Sequence, residues 1–392
     1  MDYPLEGMKI LDFTYLLPGP YGTMMLSDLG ADIIKIENLT NPDLLHITEP
    51  MVDGVSAAYA HINRGKKSLT IDLKKDGARD IIHRLLSDYD IVVEQFRPGV
   101  MEKLGLSYEA LRSVAPGIIY CSLTGYGQTG SYSMRAGHDI NYMALSGIES
   151  FSGRKSTGPA LSGIQIADVC AGGKNLAMAV MAAYIRRIRT GRGDYVDISI
   201  TDSSFALSAF QAAGFLAGGP MPDRESDFLN GGSLYDFYRT ADGRYISVGP
   251  LEPKFSAQFF KALGLEDTVS SLLLAGDELT QVKKRVEEIF ASMPLAHWQE
   301  VFAPLDACVE PVYTLEEAVS NPPLAERSMV VDVVNEKGTP IKQAGNPIKF
   351  ASGDCHARRA GASMGYHNRE IMTSLGYSDE DIDRLKAGKV IG

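Results

Sequence analysis

The chain has 392 residues and a formal net charge of −11, with 45% hydrophobic and 22% charged residues. This length suits two domains or one large domain with an insertion, and the composition is typical of a globular protein with a sizeable core. The acidic balance argues against broad binding to the phosphate backbone of nucleic acid. Four cysteines without CxxC or metal-ligand spacing favour reduced thiols and a cytoplasmic location.

The N-terminus lacks the basic start and apolar run of a signal peptide. No apolar stretch free of charges or helix breakers approaches membrane-spanning length. We therefore expect no membrane span.

The first third of the chain alternates short apolar runs with helical patterns. Strands are predicted over 8–13, 32–37, 68–72, 91–94 and 117–124, and helices over 21–29, 77–87 and 108–113. This alternation predicts an α/β fold with a parallel sheet, although the glycines do not form a GxGxxG fingerprint. Ligands of such sheets bind beyond the carboxyl ends of the strands. The candidate ligand loops are those containing Pro18, residues 96–99 and residues 125–127.

The central stretch, Arg135 to Gly173, holds two proton carriers, His138 and Asp168, 30 positions apart (168 − 138). Asp168 precedes a long apolar run at 175–185 and is predicted to cap its helix. Free N–H groups at that helix start could stabilise an enolate oxygen. On spacing alone the plainer interpretation is the more common one, with Asp168 only a cap and His138 a satisfied core histidine.

The second half of the chain predicts a smaller domain. A strand over 195–200 and a helix over 202–215 precede a Gly/Pro-rich stretch, and an Asp-Gly turn then joins predicted strands 235–239 and 245–248. Helices are predicted over 254–263, 280–292 and 296–302, with a final helix over 370–386. We assign 226–325 to a small α+β domain and both 1–215 and 330–392 to a large domain.

A basic cluster at residues 64–67, with Lys74 and Lys75 just beyond it, stands out in the acidic chain. Clustered cations suit phosphate groups, and a solvated surface is the alternative. The arginines at 186–192 end the long helix and oppose its C-terminal dipole, which indicates a structural role.

Several runs match a known family: 7–12 (GMKILD), 18–20 (PGP), 29–32 (LGAD), 63–69 (NRGKKSL) and 96–100 (FRPGV). Through them, nearly the whole chain resembles the class III CoA-transferase family, which includes the α-methylacyl-CoA racemases. The resemblance implies an acyl-CoA enzyme with a Rossmann-like large domain built from both chain ends. It further implies a smaller domain joined by two linkers and an interlocked homodimer.

Other residues resemble the racemase branch of the family in particular. The run 136–142 (AGHDINY) is similar to the racemase motif, whereas the transferases usually carry Tyr where His138 stands. Glu252 falls where racemases hold the glutamate that pairs with the catalytic histidine. Asp168 falls at the aspartate shared by both branches. The resemblance thus implies that His138, Asp168 and Glu252 are catalytic.

The same resemblance implies residues that bind coenzyme A: Arg97, Lys66, Lys67, Lys74, Phe96, Arg135 and Tyr142. It implies no metal and no cofactor beyond coenzyme A as part of the substrate. Asn38 departs from the arginine that the family often has near the adenine, and the run after Asp168 is looser than usual. The acyl group and the branch therefore stay open.

Three hypotheses follow. The first is a racemase or epimerase of 2-methyl-branched acyl-CoA, with His138, polarised by Glu252, on one face of the α-carbon and Asp168 on the other. The second is a CoA-transferase that uses Asp168 as a nucleophile through an anhydride and an aspartyl-CoA thioester. The third is a non-catalytic acyl-CoA-binding protein, which the complete set of three candidate residues disfavours.

Overall fold

A computed structural model describes residues 3–267, 273–357 and 359–392. The chain divides into two compact units. The large unit comprises Met1–Ser146, Ser162–Leu207 and Pro322–Gly392, and the small unit comprises Gly147–Leu161 and Ser208–Asn321. The large unit is thus built from both ends of the chain. The small unit begins earlier than residue 226 and also takes in 147–161, which the sequence analysis had placed in the large domain.

A six-stranded parallel sheet forms the centre of the large unit. Its strands are β1 (Lys9–Phe13), β2 (Asp32–Glu37), β3 (Lys67–Thr70), β4 (Ile91–Glu94), β5 (Ile119–Thr124) and β6 (Asp194–Ser199). The strand order β3-β2-β1-β4-β5-β6 is that of a doubly wound Rossmann sheet. The predicted fold class is therefore confirmed. The order reverses between β1 and β4, and ligands of such sheets bind at this switch point.

Buried apolar residues on the strands explain the sheet. Ile10, Leu11, Val92 and Val93 are fully buried, as expected for strands covered by helices on both faces. The helices of the N-terminal part are α1 (Pro18–Asp28), α2 (Ala57–Ile62), α3 (Ala78–Leu85), α4 (Val100–Lys103), α5 (Tyr108–Val114), α6 (Asp139–Leu145), α7 (Lys174–Thr190) and α8 (Ile200–Leu207). Two minor elements lie between β2 and α2: a 3₁₀ turn at Leu44–Ile47 and a short hairpin of Met51–Val52 with Val55–Ser56.

Helix α1 starts before the predicted residue 21. Pro18 occupies its first position, where proline is tolerated because the N–H would be unpaired in any case. The predicted helix over 202–215 is in fact two helices, α8 and α9 (Ala209–Leu216), which part at Ser208.

A π-helical segment, Ile166–Gly173, runs directly into α7. The residue before it is Gln165, so Asp168 lies inside the segment and the predicted N-cap role is wrong. By length and composition, the 25-residue helical run Ile166–Thr190 could cross a membrane, although 44% of its most apolar window is buried. The expectation that no stretch is long and apolar enough to cross a membrane is therefore not confirmed by length and composition. Since buried core helices pass the same test, the run is weak evidence for a membrane span.

A three-stranded antiparallel sheet and helices form the small unit. The predicted hairpin is present as β7 (Asp236–Arg239) and β8 (Tyr245–Val248), with Arg239 opposite Tyr245. A third strand, β9 (Val309–Pro311), pairs with β8 and was not predicted. The helices are α10 (Pro253–Ala262), α11 (Gly276–Phe290), α12 (Leu295–Phe302) and α13 (Leu315–Ser320). Its aromatic core includes Trp298, whose Nε1–H donates to the Phe290 carbonyl (3.0 Å).

The C-terminal part returns to the large unit. It contains α14 (Pro322–Glu326), β10 (Val330–Val334), β11 (Pro340–Ala344), a strand pair of Lys349–Phe350 with Gly353–Asp354, α15 (Asn368–Ser374) and α16 (Asp379–Ala387). The predicted single helix over 370–386 breaks at Gly376, which has φ +82°, and restarts at the Ser378 cap. The segment rejoins the sheet where the Asp72 N–H donates to the Val390 carbonyl (2.9 Å).

Candidate active site

The loops that follow β1 and β4 meet at the switch point of the sheet. The Gly19 N–H donates to Gln95 Oε1 (2.9 Å), and Gln95 Nε2 donates to the Tyr15 carbonyl (3.2 Å). A Cβ on Gly19 would lie 2.4 Å from Gln95 Oε1, so only glycine allows this approach. The two loops and the end of β2 enclose a cavity of about 370 Å³. Its lining includes Tyr15, Leu16, Asn38, Asp43 and Phe96.

Arg97 lies beside this crevice, at the carboxyl end of β4. Its guanidinium is exposed and forms no ion pair with the part of the chain that the structure describes. The preceding turn is fixed because the Phe96 N–H donates to buried Glu94 (2.7 Å). Burial raises the pKa of Glu94 to about 7. Phe96 and Arg97 therefore lie in one of the predicted ligand loops, and their contact with coenzyme A stays a prediction.

The three lysines predicted to bind phosphate differ sharply in position. Lys66 is buried, and its Nζ donates to Asp12 Oδ2 (3.1 Å), the Pro20 carbonyl (3.0 Å) and Asn63 Oδ1 (2.9 Å). These contacts use all three ammonium donors. The geometry therefore speaks against the predicted contact between Lys66 and a phosphate, and it points to a structural role.

Lys67 begins β3 at the amino edge of the sheet, opposite the switch point, and pairs with Asp32 (3.9 Å) and Glu370 (3.4 Å). Lys74 is exposed just after β3, at the carboxyl edge. Of the predicted phosphate ligands, Arg97 and Lys74 thus share an edge with the switch point and Lys67 does not.

Helix α6 presents His138. This residue immediately precedes the helix and is exposed, which excludes the core-histidine interpretation. The backbone N–H of His138 donates to Asn141 Oδ1 (3.0 Å). This hydrogen bond fixes the start of α6, because Asn141 is the third residue of the helix. The Tyr142 hydroxyl donates to the carbonyl of Gly137, the residue before His138 (2.6 Å). Arg135, four residues before Asp139 in the same loop, stacks over the Tyr132 ring with 3.5 Å to the centroid.

Asp168 lies on the π-helical segment that packs against α6. The Asp168 side chain is half-buried, and the backbone N–H of Asp168 donates to Asp139 Oδ1 (2.9 Å). Burial, together with the nearby Asp139 carboxylate, raises the pKa of Asp168 to about 7. Asp168 can therefore hold or release a proton near neutral pH, as a general acid or base requires. The same Asp168 charge, added to burial, raises the pKa of Tyr142 above its usual range.

The large unit thus brings together His138, Asp168 and Tyr142. Glu252 belongs to the small unit, where it is exposed and immediately precedes α10. Its pairing with His138 stays a prediction. In the described ranges, no group of three or more His, Cys, Asp or Glu side chains could hold a metal ion.

The role of Asp139 is not predicted by the sequence. The residue belongs to the 136–142 motif, but nothing in the spacing links 139 to 168. The bond also changes the predicted anion site. The N–H of Asp168 is occupied by Asp139, and that of Val169 donates to the Gln165 carbonyl (2.9 Å). Neither N–H group is free to stabilise an enolate oxygen, so the prediction is wrong for these two donors.

Comparison with known proteins agrees with this geometry. The profile of CoA-transferase family III matches residues 5–368. The chain belongs to this family. It is 33% identical to the human α-methylacyl-CoA racemase over 99% of this chain and 97% of the relative. It is also 31% identical to the human succinyl-CoA:glutarate CoA-transferase, over 99% and 90% of the two chains.

Solved structures give the same result. The crystal structure of a CAIB/BAIF family protein from Brucella suis superposes with a TM-score of 0.83 at 27% identity, covering 96% of this chain and all of that chain. Sequence and structure together identify an enzyme of the CoA-transferase/racemase superfamily.

Close packing at the His138 loop gives a testable prediction for this family III member. A Cβ on Gly137 would lie 2.5 Å from the Tyr126 hydroxyl oxygen and 2.7 Å from the ring of Tyr142. We expect Gly137→Ala to lower the free energy of unfolding by about 1–3 kcal/mol, because the rings must shift, and to reduce turnover. Chemical denaturation and steady-state assays measure both. Gly163→Ala is the control, since a Cβ there meets open space. Equal behaviour of the two variants would contradict the prediction.

Proposed function

We propose that this chain is a racemase or epimerase of 2-methyl-branched acyl-CoA thioesters. The observation that carries the proposal is the pairing of two proton carriers in one unit. Asp168, with a pKa of about 7, is bonded through its N–H to the residue that follows His138. An exposed imidazole and a carboxyl group whose pKa is raised to about 7 suit proton transfer in both directions.

In the proposed mechanism, one group removes the α-proton of the thioester and the other returns a proton to the opposite face. With the carboxylate as base, Asp168 takes the proton, an enolate forms, and a protonated His138 donates to the other face. The reverse direction exchanges the two roles. We propose that Glu252 stabilises the cationic imidazole and fixes its tautomer. We propose that the substrate is an acyl-CoA thioester and that the active protein is an interlocked homodimer.

A second candidate is a CoA-transferase with Asp168 as nucleophile, which fits the transferase named among the relatives. The half-buried Asp168 carboxyl is compatible with covalent chemistry. Two points favour the racemase. By the resemblance, His138 stands where transferases of this family usually carry Tyr. The raised pKa of Asp168 also leaves a fraction of the molecules with a protonated carboxyl at neutral pH, which can return a proton but cannot act as a nucleophile.

The deciding experiment is mass spectrometry of a panel of acyl-CoA thioesters in deuterated buffer, with and without free carboxylic acids. The racemase predicts α-deuterium incorporation without any acceptor acid. The transferase predicts no incorporation, CoA transfer only when an acid is added, and trapping of Asp168 by hydroxylamine. Binding without either reaction would support the non-catalytic alternative.

The position of Arg97 predicts a direct role in binding coenzyme A. Removing its exposed charge should weaken the affinity for free coenzyme A about tenfold at low salt. The loss should shrink as salt rises, because screening weakens the interaction in the wild type. Calorimetry of Arg97→Ala measures this. Lys67→Ala, which removes a cation at the opposite edge of the sheet, is the control and should bind normally. Unchanged affinity of Arg97→Ala at low salt would count against the assignment.

A further inference from the structure

A carboxylate that the proposed mechanism does not use connects its two proton carriers. Asp139 is the first residue of α6 and follows His138 directly in the chain. Its Oδ1 accepts the N–H of Asp168 (2.9 Å), 29 residues further along. One side chain therefore ties the start of α6 to the backbone of the π-helical segment.

This bond satisfies a donor that the helix cannot satisfy itself. Asp168 lies in the first turn of its helical segment, where backbone N–H groups have no partner within the helix. The first turn of α6 also favours a negative charge, because the helix dipole is positive there. Both effects would be met in part by any short acceptor side chain.

The hydrogen bond to the Asp168 N–H does not by itself require a charged acceptor. Asn would offer the same carbonyl oxygen to the Asp168 N–H without placing a second carboxylate beside Asp168. The carboxylate instead repels the ionised form of Asp168 and favours its protonated form. The Asp139 carboxylate therefore does two things: it holds the Asp168 backbone by a hydrogen bond, and its charge favours the protonated form of the Asp168 carboxyl.

We propose that Asp139 is a positioning residue that holds Asp168 in register with His138, so that both proton carriers address the same α-carbon. This inference rests on the proposed function for its two-face chemistry, whereas the mechanical link stands on the hydrogen bond alone. Asp139 itself transfers no proton in this scheme.

The test uses three variants of the full-length protein. Asp139→Ala removes both the acceptor and the charge, and Asp139→Asn keeps the acceptor and removes the charge. Asp202→Asn is the matched control. Asp202 is an exposed carboxylate in the first turn of α8, which packs on the same π-helical segment but forms no bond to the Asp168 N–H.

The first readout is hydrogen exchange of backbone amides in segment 166–170, which requires no substrate. Asp139→Ala should lose protection at Asp168, whereas Asp139→Asn and Asp202→Asn should retain it. Unchanged protection in Asp139→Ala would overturn the proposal.

The second readout is α-deuterium incorporation resolved by face, starting from each enantiomer of one thioester. Exchange on the face served by Asp168 should fall about 100-fold in Asp139→Ala, as for a misplaced catalytic group, and much less on the face served by His138. Asp139→Asn should restore much of the lost rate. An equal loss on both faces, or no loss, would overturn the proposal.

Failure of the proposed function and failure of the Asp139 proposal would give different results. A wild-type protein that exchanges no α-proton would overturn the proposed function and the two-face part of the inference. The amide protection of the variants would still decide whether Asp139 holds Asp168.

Discussion

Replacing His138 by alanine is expected to abolish racemisation while leaving α-proton exchange on the face that Asp168 serves. Asp168→Ala should be the mirror case, with exchange confined to the other face. The expected loss of racemisation is about 10²–10⁴-fold, the usual contribution of one positioned acid or base. Deuterium incorporation from each pure enantiomer, followed together with optical inversion, separates exchange from racemisation.

The pH dependence sharpens this prediction. Asp168 must be ionised to remove a proton, and its pKa is raised to about 7. In His138→Ala, exchange should therefore fall as the pH drops below about 7, because the carboxyl becomes protonated. Asp202→Asn is the control and should racemise normally. Loss of all activity in Asp168→Ala, a mild effect of His138→Ala and hydroxylamine trapping of Asp168 would together favour the transferase.

Lys66→Met is expected to cause the largest loss of stability. Asp12 is fully buried and is held by Lys66, Thr14 and Thr23. Burial alone would raise its pKa, but attraction by Lys66 and Lys35, with these hydrogen bonds, lowers the pKa of Asp12 to about 2. Removing the ammonium leaves a buried carboxylate short of a partner, which costs about 3–5 kcal/mol. Denaturant unfolding at neutral pH measures the loss.

Lys67→Met is the matched control for Lys66→Met. Lys67 is adjacent in the chain but partly exposed, and its ion pairs contribute about 0–1 kcal/mol. The contribution of Asp12 is complete above its ordinary pKa near 4 and is lost as the pH falls toward 2. The difference between Lys66→Met and wild type should therefore shrink in acid. Equal stability of the two variants at neutral pH would refute the structural role of Lys66.

The contrast between Lys66 and Lys67 shows what the sequence can and cannot predict here. Apolar runs that alternate with helical patterns predict the parallel sheet, because strands such as β4 are buried on both faces and read as short apolar runs. Which lysine of a cluster turns inward depends on Asp12, 54 positions away. No local pattern carries that information, and the cluster is equally consistent with a phosphate site and with a solvated surface.

The same limit applies to the candidate site. His138 and Asp168 were found through motif and resemblance, and the large unit holds both. The role of Asp139 was not predicted, and the helical segment begins at Ile166, two residues before Asp168. Both features depend on contacts between α6 and the segment that follows residue 165. Strand β9 was missed because it is three residues long and ends in Pro311.

The π-helical geometry at Ile166–Gly173 makes the orientation of Asp168 depend on chain length as well as on residue type. A π turn holds one more residue than an α turn, and each residue of an α-helix rotates its side chain by about 100°. Deleting one residue between 169 and 173 would let the segment relax to a regular α-helix while α7 keeps its packing. Asp168 would then turn away from α6 although every candidate catalytic residue were still present. In this part of the chain, alignment gaps therefore carry as much functional information as substitutions.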